Sequence, residues 1–249
     1  MTVLEIKNEF LLAYDKLMGA SAPGLDDYEI SVLLTKGADR KIKQVYNPLG
    51  NKYREGYEQS EKRKKELAPL TKTDNLIPKT YNSSLNLPDG RFVELPTDFM
   101  WSTMEEATLS STDPCIDGER VEVKPVTHDE YTKNKKNPFK KPHKLLVWRM
   151  DYEWDTLSGI RQQHELIKGN NMEITKYHLR YLKRPNPIIV SDLTLLDATL
   201  SIEGFTSPQT VEFNDSFIRE IIDEAVLIGL EVFSEQRLST NAQLSQKSE

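Results

Sequence analysis

Several groups of residues have the types and spacing that chemistry needs, and each also has a plain structural reading. His164 to Lys168 opens like the helical zinc motif His-Glu-x-x-His, in which two imidazoles one turn apart share a metal. Lys168 stands at the second ligand position, and an ammonium cannot ligate zinc there. His128, Asp129 and Glu130 offer three ligand types in a row, but adjacent residues seldom converge on one ion, so a surface turn is the simpler reading. Asp151, Glu153 and Asp155 alternate, which on a strand puts them on one face, where they could gather a hard cation. Tyr152 and Trp154 occupy the other face, and the acids then read as its wet side. Cys115, the single cysteine, has the type of a nucleophile, but beside Pro114 it reads as a small residue. One cysteine leaves no internal disulfide or cysteine-rich zinc site and suits a reducing cytoplasm. The chain has no glycine-rich phosphate loop, no Gly-x-Ser-x-Gly and no His-x-x-x-His pair. The expectation is a protein that is not an enzyme, with no cofactor and no metal.

Two basic stretches remain. Lys133, Lys135, Lys136, Lys140, Lys141 and Lys144 crowd one loop, interrupted by the Asn-Pro-Phe run ending at Phe139. Three readings of it stand side by side: a solvated loop, a contact with an acidic protein neighbour, and a contact with nucleic acid. Lys135, Lys136, Lys140 and Lys141 are the candidate contacts in the last two. Aromatic residues for base stacking are sparse there, and a net charge of -6 argues against nonspecific nucleic-acid binding as the main task. The second stretch, 177–190, alternates aromatic and branched residues with His178, Arg180 and Lys183, then runs into Pro185 and Pro187. Two prolines so close cannot both donate into a ladder, so this strand must leave its sheet or lie on its edge. Tyr177, Leu179 and Tyr181 form its packing face. Arg180, Lys183 and Arg184 are expected to meet acidic neighbours.

These side chains need elements to position them. Thr2 and Glu5 have capping-box spacing ahead of an apolar series from Val3 to Met18 at helical intervals, stopped by Gly19 and the run after it. A second helix opens at Asp26 or Asp27, buries Ile30, Leu33, Leu34, Ala38, Ile42 and Val45, and ends before Pro48. Residues 60–67 predict a charged third helix laced with i,i+4 pairs and anchored by Leu67 and Leu70. From Thr71 onward prolines punctuate short alternating runs, the pattern of small sheets with long connections. Strands are expected at 91–95, 119–124, 145–154, 173–183 and 195–202. The fourth should pair with the third across a connection at 157–171. The last helix is capped by Asn214 or Asp215 and carries a broad apolar stripe including Phe217, Ile221, Ile222 and Phe233. Ordering so short a stretch costs more than its apolar face returns, so it must lie on the first two helices or on another subunit.

The expected fold class is α+β: N-terminal helices and a long C-terminal helix forming a helical bundle, with an inserted, mostly antiparallel β-rich domain. The bundle domain takes 1–70 and 212–238, the β-rich domain 71–211. Residues 239–249 lack core-forming side chains and read as a tail ordered by partners. No signal segment and no uninterrupted apolar run long enough for a membrane span is present, so the expectation is a protein made in a cytosol, with no membrane partner.

Several motifs, in order, carry a resemblance. Residues 95–100 (Leu-Pro-Thr-Asp-Phe-Met) resemble a strand opening common in adaptor proteins of tailed bacteriophages. Residues 123–131 and then 137–142 are similar to the segment that follows it, and 181–188 to the strand-then-proline element closing their β region. Residues 213–226 are similar to their final helix. The whole chain resembles the portal-adjacent ring (head-to-tail adaptor) proteins of crAss-like short-tailed phages that infect gut Bacteroides. That resemblance implies a structural protein of the virion neck, made in the bacterial host cytoplasm. It implies a ring of this chain, typically twelvefold, that docks on the portal protein through helices or C-terminal tails and offers a surface to adjacent neck or tail rings. DNA would pass through the lumen without specific binding. The resemblance carries over no catalytic residue. Interface candidates are then Arg180, Tyr181, Lys183, Arg184, Pro185 and Pro187, with Phe217, Ile221, Ile222, Phe233, Arg237, Leu238 and Leu244. A polar chain with a thin β region is consistent with subunits that bury one another, at roughly 800 Å² per partner and two heterologous contacts per protomer. The alternative is a nucleic-acid-handling protein of packaging or ejection that uses the basic loop 133–144.

Overall fold

The computed structural model describes residues 1–18, 24–47, 56–79, 89–156, 159–169 and 171–233. It is a mixed helix-and-sheet protein of two compact units: Met1–Leu70 with Pro185–Glu249, and Thr71–Arg184. Residues 185–211, which the sequence places with the β-rich region, belong to the helical unit.

In the helical unit, α1 (Val3–Met18) begins with the capping box of Thr2 and Glu5: Thr2 N donates to Glu5 Oε2 at 2.6 Å, and Glu5 N to Thr2 Oγ1 at 3.3 Å. It buries Ile6, Phe10 and Tyr14, one residue per turn. Helix α2 (Asp27–Tyr46) is capped the same way by Asp26 and Glu29 and buries its expected face. Short α3 (Glu61–Leu67) is anchored by Leu67 and Leu70, both fully buried. Its Lys62 reaches Glu66 at 3.5 Å and also Glu220 at 3.1 Å, so the charged run is tied to the last helix as well as to itself.

The segment that leaves the proline pair lies extended along α2. Ser31 Oγ donates to Asp27 O and accepts from Val190 N at 3.0 Å; Thr35 Oγ1 donates to Ser31 O and accepts from Ile188 N at 3.2 Å. A backbone stripped of two donors by proline thus has two of its remaining N–H groups met by helix hydroxyls. Residues 195–202, expected as a strand, instead follow a single 3-10 turn at Leu193–Leu195. Asp192 and Asp197 each accept from the backbone two residues on, which holds turns rather than a ladder. Ile202 and Phe205 pair across a tight turn whose centre, Glu203 and Gly204, has positive φ at both positions.

Helix α5 (Asp215–Phe233) contacts both α1 and α2, and buries Phe217, Ile218, Ile221, Ile222, Ala225, Val226 and Leu230. Its crossing with α2 is close. A Cβ on Gly37 would sit 2.9 Å from the Cβ and backbone N of Ala225 and 3.0 Å from Ile221 O.

The second unit is a curled seven-stranded sheet: β1 (Thr71–Leu76), β2 (Gly90–Glu94), β3 (Phe99–Ser111), β4 (Arg120–Pro125), β5 (Leu146–Thr156), β6 (Gly159–Ile167) and β7 (Met172–Lys183), with α4 (His128–Asn134) after β4. The spatial order is β1-β7-β3-β4-β5-β6-β2. All neighbours are antiparallel except β4 and β5. Lys79, just past β1, exchanges backbone hydrogen bonds of 2.7 and 2.8 Å with Phe92 of β2, linking the sheet's two outer strands. That closure removes part of the open edge a curled sheet would otherwise present. The core is the inner face: Val93, Ala107, Leu109, Val121, Val123, Val147, Leu166, Ile174, Tyr177, Leu179 and Tyr181.

The expected strand pairing is corrected. Residues 157–171 are not merely a connection: β6 lies there and takes the place beside β5, so β7 pairs with β1 and β3 instead. Of the two outcomes expected for 177–190, leaving the sheet or lying on its edge, the first occurs: β7 is an interior strand and ends at Lys183.

Replacing Gly37 by Ala tests the close helix crossing. Helix propensity favours Ala by about 1 kcal/mol, whereas a methyl pressed against backbone costs about 1–3 kcal/mol. The expected result is a net loss of stability in urea unfolding; a gain would mean the two helices do not approach so closely.

Candidate functional site

Inside the curled sheet sits a chain of polar groups. Arg149 of β5 is buried, and its Nε lies 2.9 Å from Glu105 Oε2 of β3, the charges in contact without a well-aimed hydrogen bond. Its Nη1 donates to Asp151 and, at 2.9 Å, to His164 Nε2 of β6. An arginine has no lone pair to offer, so Nε2 must be the acceptor and the His164 proton sits on Nδ1. Nδ1 lies 2.9 Å from the Tyr177 hydroxyl of β7, which has Glu105 as its further partner. Donors and acceptors therefore run in one direction across four strands. Burial first, and the Arg149 charge second, push His164 down to about 3. Burial and then Glu105 push Tyr177 upward. A neutral imidazole with both nitrogens engaged, beside a phenol held protonated, is neither a base nor a ligand at neutral pH. The arrangement positions strands.

The sequence candidates are placed as follows. Lys168 pairs with Glu173 at 3.1 Å, and His164 is interior, so the zinc-like spacing comes to nothing. His128, Asp129 and Glu130 form the first turn of α4 rather than a surface turn, with Glu130 closing a capping box on Thr127. Asp151 neutralises Arg149 instead of gathering a cation; the side chains of Glu153 and Asp155 lie outside the described residues. Among the described residues no group of three or more His, Cys, Asp or Glu converges on a metal-sized space. Cys115 is exposed in a turn fixed by Asp113.

Of the interface candidates, Tyr181, Lys183, Pro185 and Pro187 are buried within their own units, as are Phe217, Ile221 and Ile222. Tyr181 donates to Asp98 at 3.0 Å. Only Arg180 and Arg184 of that set present exposed side chains. Arg237, Leu238, Leu244 and the tail 239–249 lie outside the described residues, and of Phe233 only the backbone is described.

The basic loop has a definite place. Because β4 and β5 are parallel, the chain must cross back between them, and α4 with the loop after it is that crossover. Tyr131 of α4 packs edge-on against Trp148 of β5 with centroids 6.3 Å apart, and Lys135 stands 5.5 Å over the Tyr131 ring. At the same end of the sheet the β6–β7 turn presses on the loop: a Cβ on Gly169 would lie 3.1 Å from Pro142 O and 3.3 Å from His143 Cα. Between these connections opens a cleft of about 690 Å³. Its rim carries Lys135, Lys136, Lys141, Lys144 and Lys168, against Asp89 and Asp113; Ile116, Tyr131, Trp148, Ile167 and Met172 supply its apolar lining. Among the described residues Lys135, Lys136, Lys140, Lys141 and Lys144 enter no ion pair, and all five are exposed. Sequence reasoning found these lysines but not the apolar lining, which comes from strands and turns far apart in the chain.

The cleft joins exposed ammonium groups to an apolar lining. Residues 1–243 match the family described as phage tail ring protein 3/4, and the chain belongs to that family. It is similar to Ring protein 4/5 of Bacteroides phage crAss001, 31% identical over 250 positions that span 100% of both chains. Ring protein 3 of the same phage is 32% identical over 218 residues, 87% of this chain and 89% of that one. The protein is accordingly a structural ring component of the phage tail or neck.

The interior chain sets a pH dependence. Between about 3 and the ordinary 6.5, the unfolded chain binds a proton at His164 that the native chain does not. Stability therefore falls as pH drops through that window, by up to about 1.4 kcal/mol per pH unit. In urea unfolding across pH 3 to 6.5, His164→Gln should flatten the slope relative to the unaltered chain. An unchanged slope would mean His164 is not held neutral.

Proposed function

We propose that the chain forms a ring, twelvefold, that docks under the portal and joins the head to the tail, with adjacent neck or tail ring proteins on its other side. The single observation that carries this is the likeness to two ring proteins of one phage, along the whole chain for one and along 87% of it for the other. Exposed Arg180 and Arg184 and the tail 239–249 are the parts assigned to portal and neighbour contacts. DNA threads the lumen without specific recognition, as the net charge of -6 favours. No described helix is long and apolar enough to cross a membrane. The two units correspond to a helical part and a β-rich part built for separate contacts.

Deleting 239–249 should leave the unfolding midpoint unchanged, since that stretch lacks core-forming residues, while weakening co-sedimentation with the portal protein. Normal portal binding by the truncated chain would remove the tail from the docking role. Particles assembled with a tagged chain should show it at the neck, with a copy number of twelve by native mass; absence from particles would end the ring reading.

A second reading, nucleic-acid handling, is favoured by Lys135, Lys136, Lys140, Lys141 and Lys144, which are exposed and enter no ion pair among the described residues. It predicts DNA binding that weakens steeply with salt and disappears when Lys135, Lys136, Lys140 and Lys141 become Gln. Absence of binding at low salt removes it.

A further inference from the structure

One exposed loop of the chain matches the chemistry of the lysine-rimmed cleft. No Lys, Arg or His occurs between Arg184 and Arg219, whereas Asp192, Asp197, Glu203, Glu212 and Asp215 do. Within that stretch the loop 192–205 displays apolar side chains that its own unit leaves in water: Leu195 is 84% exposed, Leu196 53% and Phe205 36%. The loop stands on a firm base, because Leu193 and Ile202 are buried against Ile189 with Tyr28, Val32 and Leu200 packed around them. Its tips are held by the side chains of Asp192 and Asp197 on Thr194 and Thr199, and by the Glu203–Gly204 turn. Little conformational freedom is left to lose when such a loop docks.

We propose that the cleft of one copy receives the loop 192–205 of the next copy, and that this contact joins neighbouring subunits. The inference rests on the ring reading above and names the surfaces that would carry it. Leucines enter among Tyr131, Trp148, Ile167 and Met172, while Asp197 and Glu203 meet the rim lysines. The volume falls within the roughly 300–1,000 Å³ of clefts that enclose a small molecule, a space that also admits a few side chains. Two different patches of one chain that fit each other make a heterologous contact, which repeats from copy to copy and closes into a ring when its rotation allows. Opposite charges on the two patches also speed encounter and disfavour cleft-to-cleft or loop-to-loop pairing.

The test is a charge exchange in the full chain, read by sedimentation velocity and mass photometry. Lys135→Glu, Lys136→Glu and Lys141→Glu together should weaken self-association roughly tenfold or more. Asp197→Lys with Glu203→Lys should do the same, and an equimolar mixture of the two variants should associate again. Leu195→Ser with Leu196→Ser should weaken it without any change of net charge. All these positions are exposed, so circular dichroism should match the unaltered chain; because Asp197 also holds Thr199, Glu203→Lys alone, which leaves that turn intact, should weaken association in the same direction. The proposal is overturned if the unaltered chain does not self-associate at any attainable concentration, if association survives both charge variants, or if the mixture fails to restore it. Loss of DNA binding with association intact in the lysine variant would also overturn it, in favour of nucleic acid. If these variants still enter particles as rings, this contact fails while the ring reading stands; if the unaltered chain never enters particles, the ring reading itself fails.

Discussion

A buried arginine is the demand around which the sheet is arranged. Taking a guanidinium out of water costs several kcal/mol unless carboxylates and well-placed acceptors surround it. Arg149 meets Glu105 from β3, Asp151 from its own strand and His164 from β6, and His164 passes the chain on to Tyr177 of β7. No flat sheet in the order β7-β3-β4-β5-β6 could bring the side chains of β6 and β7 into contact, because three strands lie between them. Curling is therefore the condition for satisfying Arg149, and the Lys79–Phe92 bridge between the outer strands completes the same bend. Phe99 stacks edge-on against His164 and tilts on Tyr181, so apolar packing and polar satisfaction fix the same curvature.

A second constraint divides the chain. Pro185 and Pro187 end the ladder of β7, and the extended stretch beyond them is claimed by hydroxyls of α2. The sequence shows the prolines and the need to leave the sheet. It does not show that Ser31 and Thr35 stand ready, since hydroxyls inside a helix look like ordinary helix residues until something docks on them. This is why the helical unit starts again at 185 and not at 212.

Helices with one apolar face were legible almost to their caps, because the 3.6-residue period and the capping pairs are local signals. Strands were legible where one face is apolar, as in β4, β5 and β7. They were hidden where the interior face is polar. The Gln163, His164 and Glu165 run of β6 gives no alternation, although all three are buried. Along β3, three register shifts break the period, and β1 is a polar outer strand. The same polarity that hid β6 is what supplies His164 to Arg149, so the unreadable strand and the interior network have one cause. Arg149 itself carried a signal: a cation between Trp148 and Met150 in an otherwise apolar run calls for buried partners.

The outside of the molecule repeats the problem of the inside with the opposite solution. Arg149 is neutralised by groups the fold itself delivers, whereas Lys135, Lys136, Lys141 and Lys144 are held close together by the crossover with no carboxylate paired to them among the described residues. Gly169 and the Tyr131–Trp148 contact keep that crossover from drifting apart to relieve the repulsion. Solvent and salt weaken the repulsion between exposed like charges, so the fold tolerates them. A subunit of this kind settles its buried charge within its own sheet and leaves its surface charge segregated.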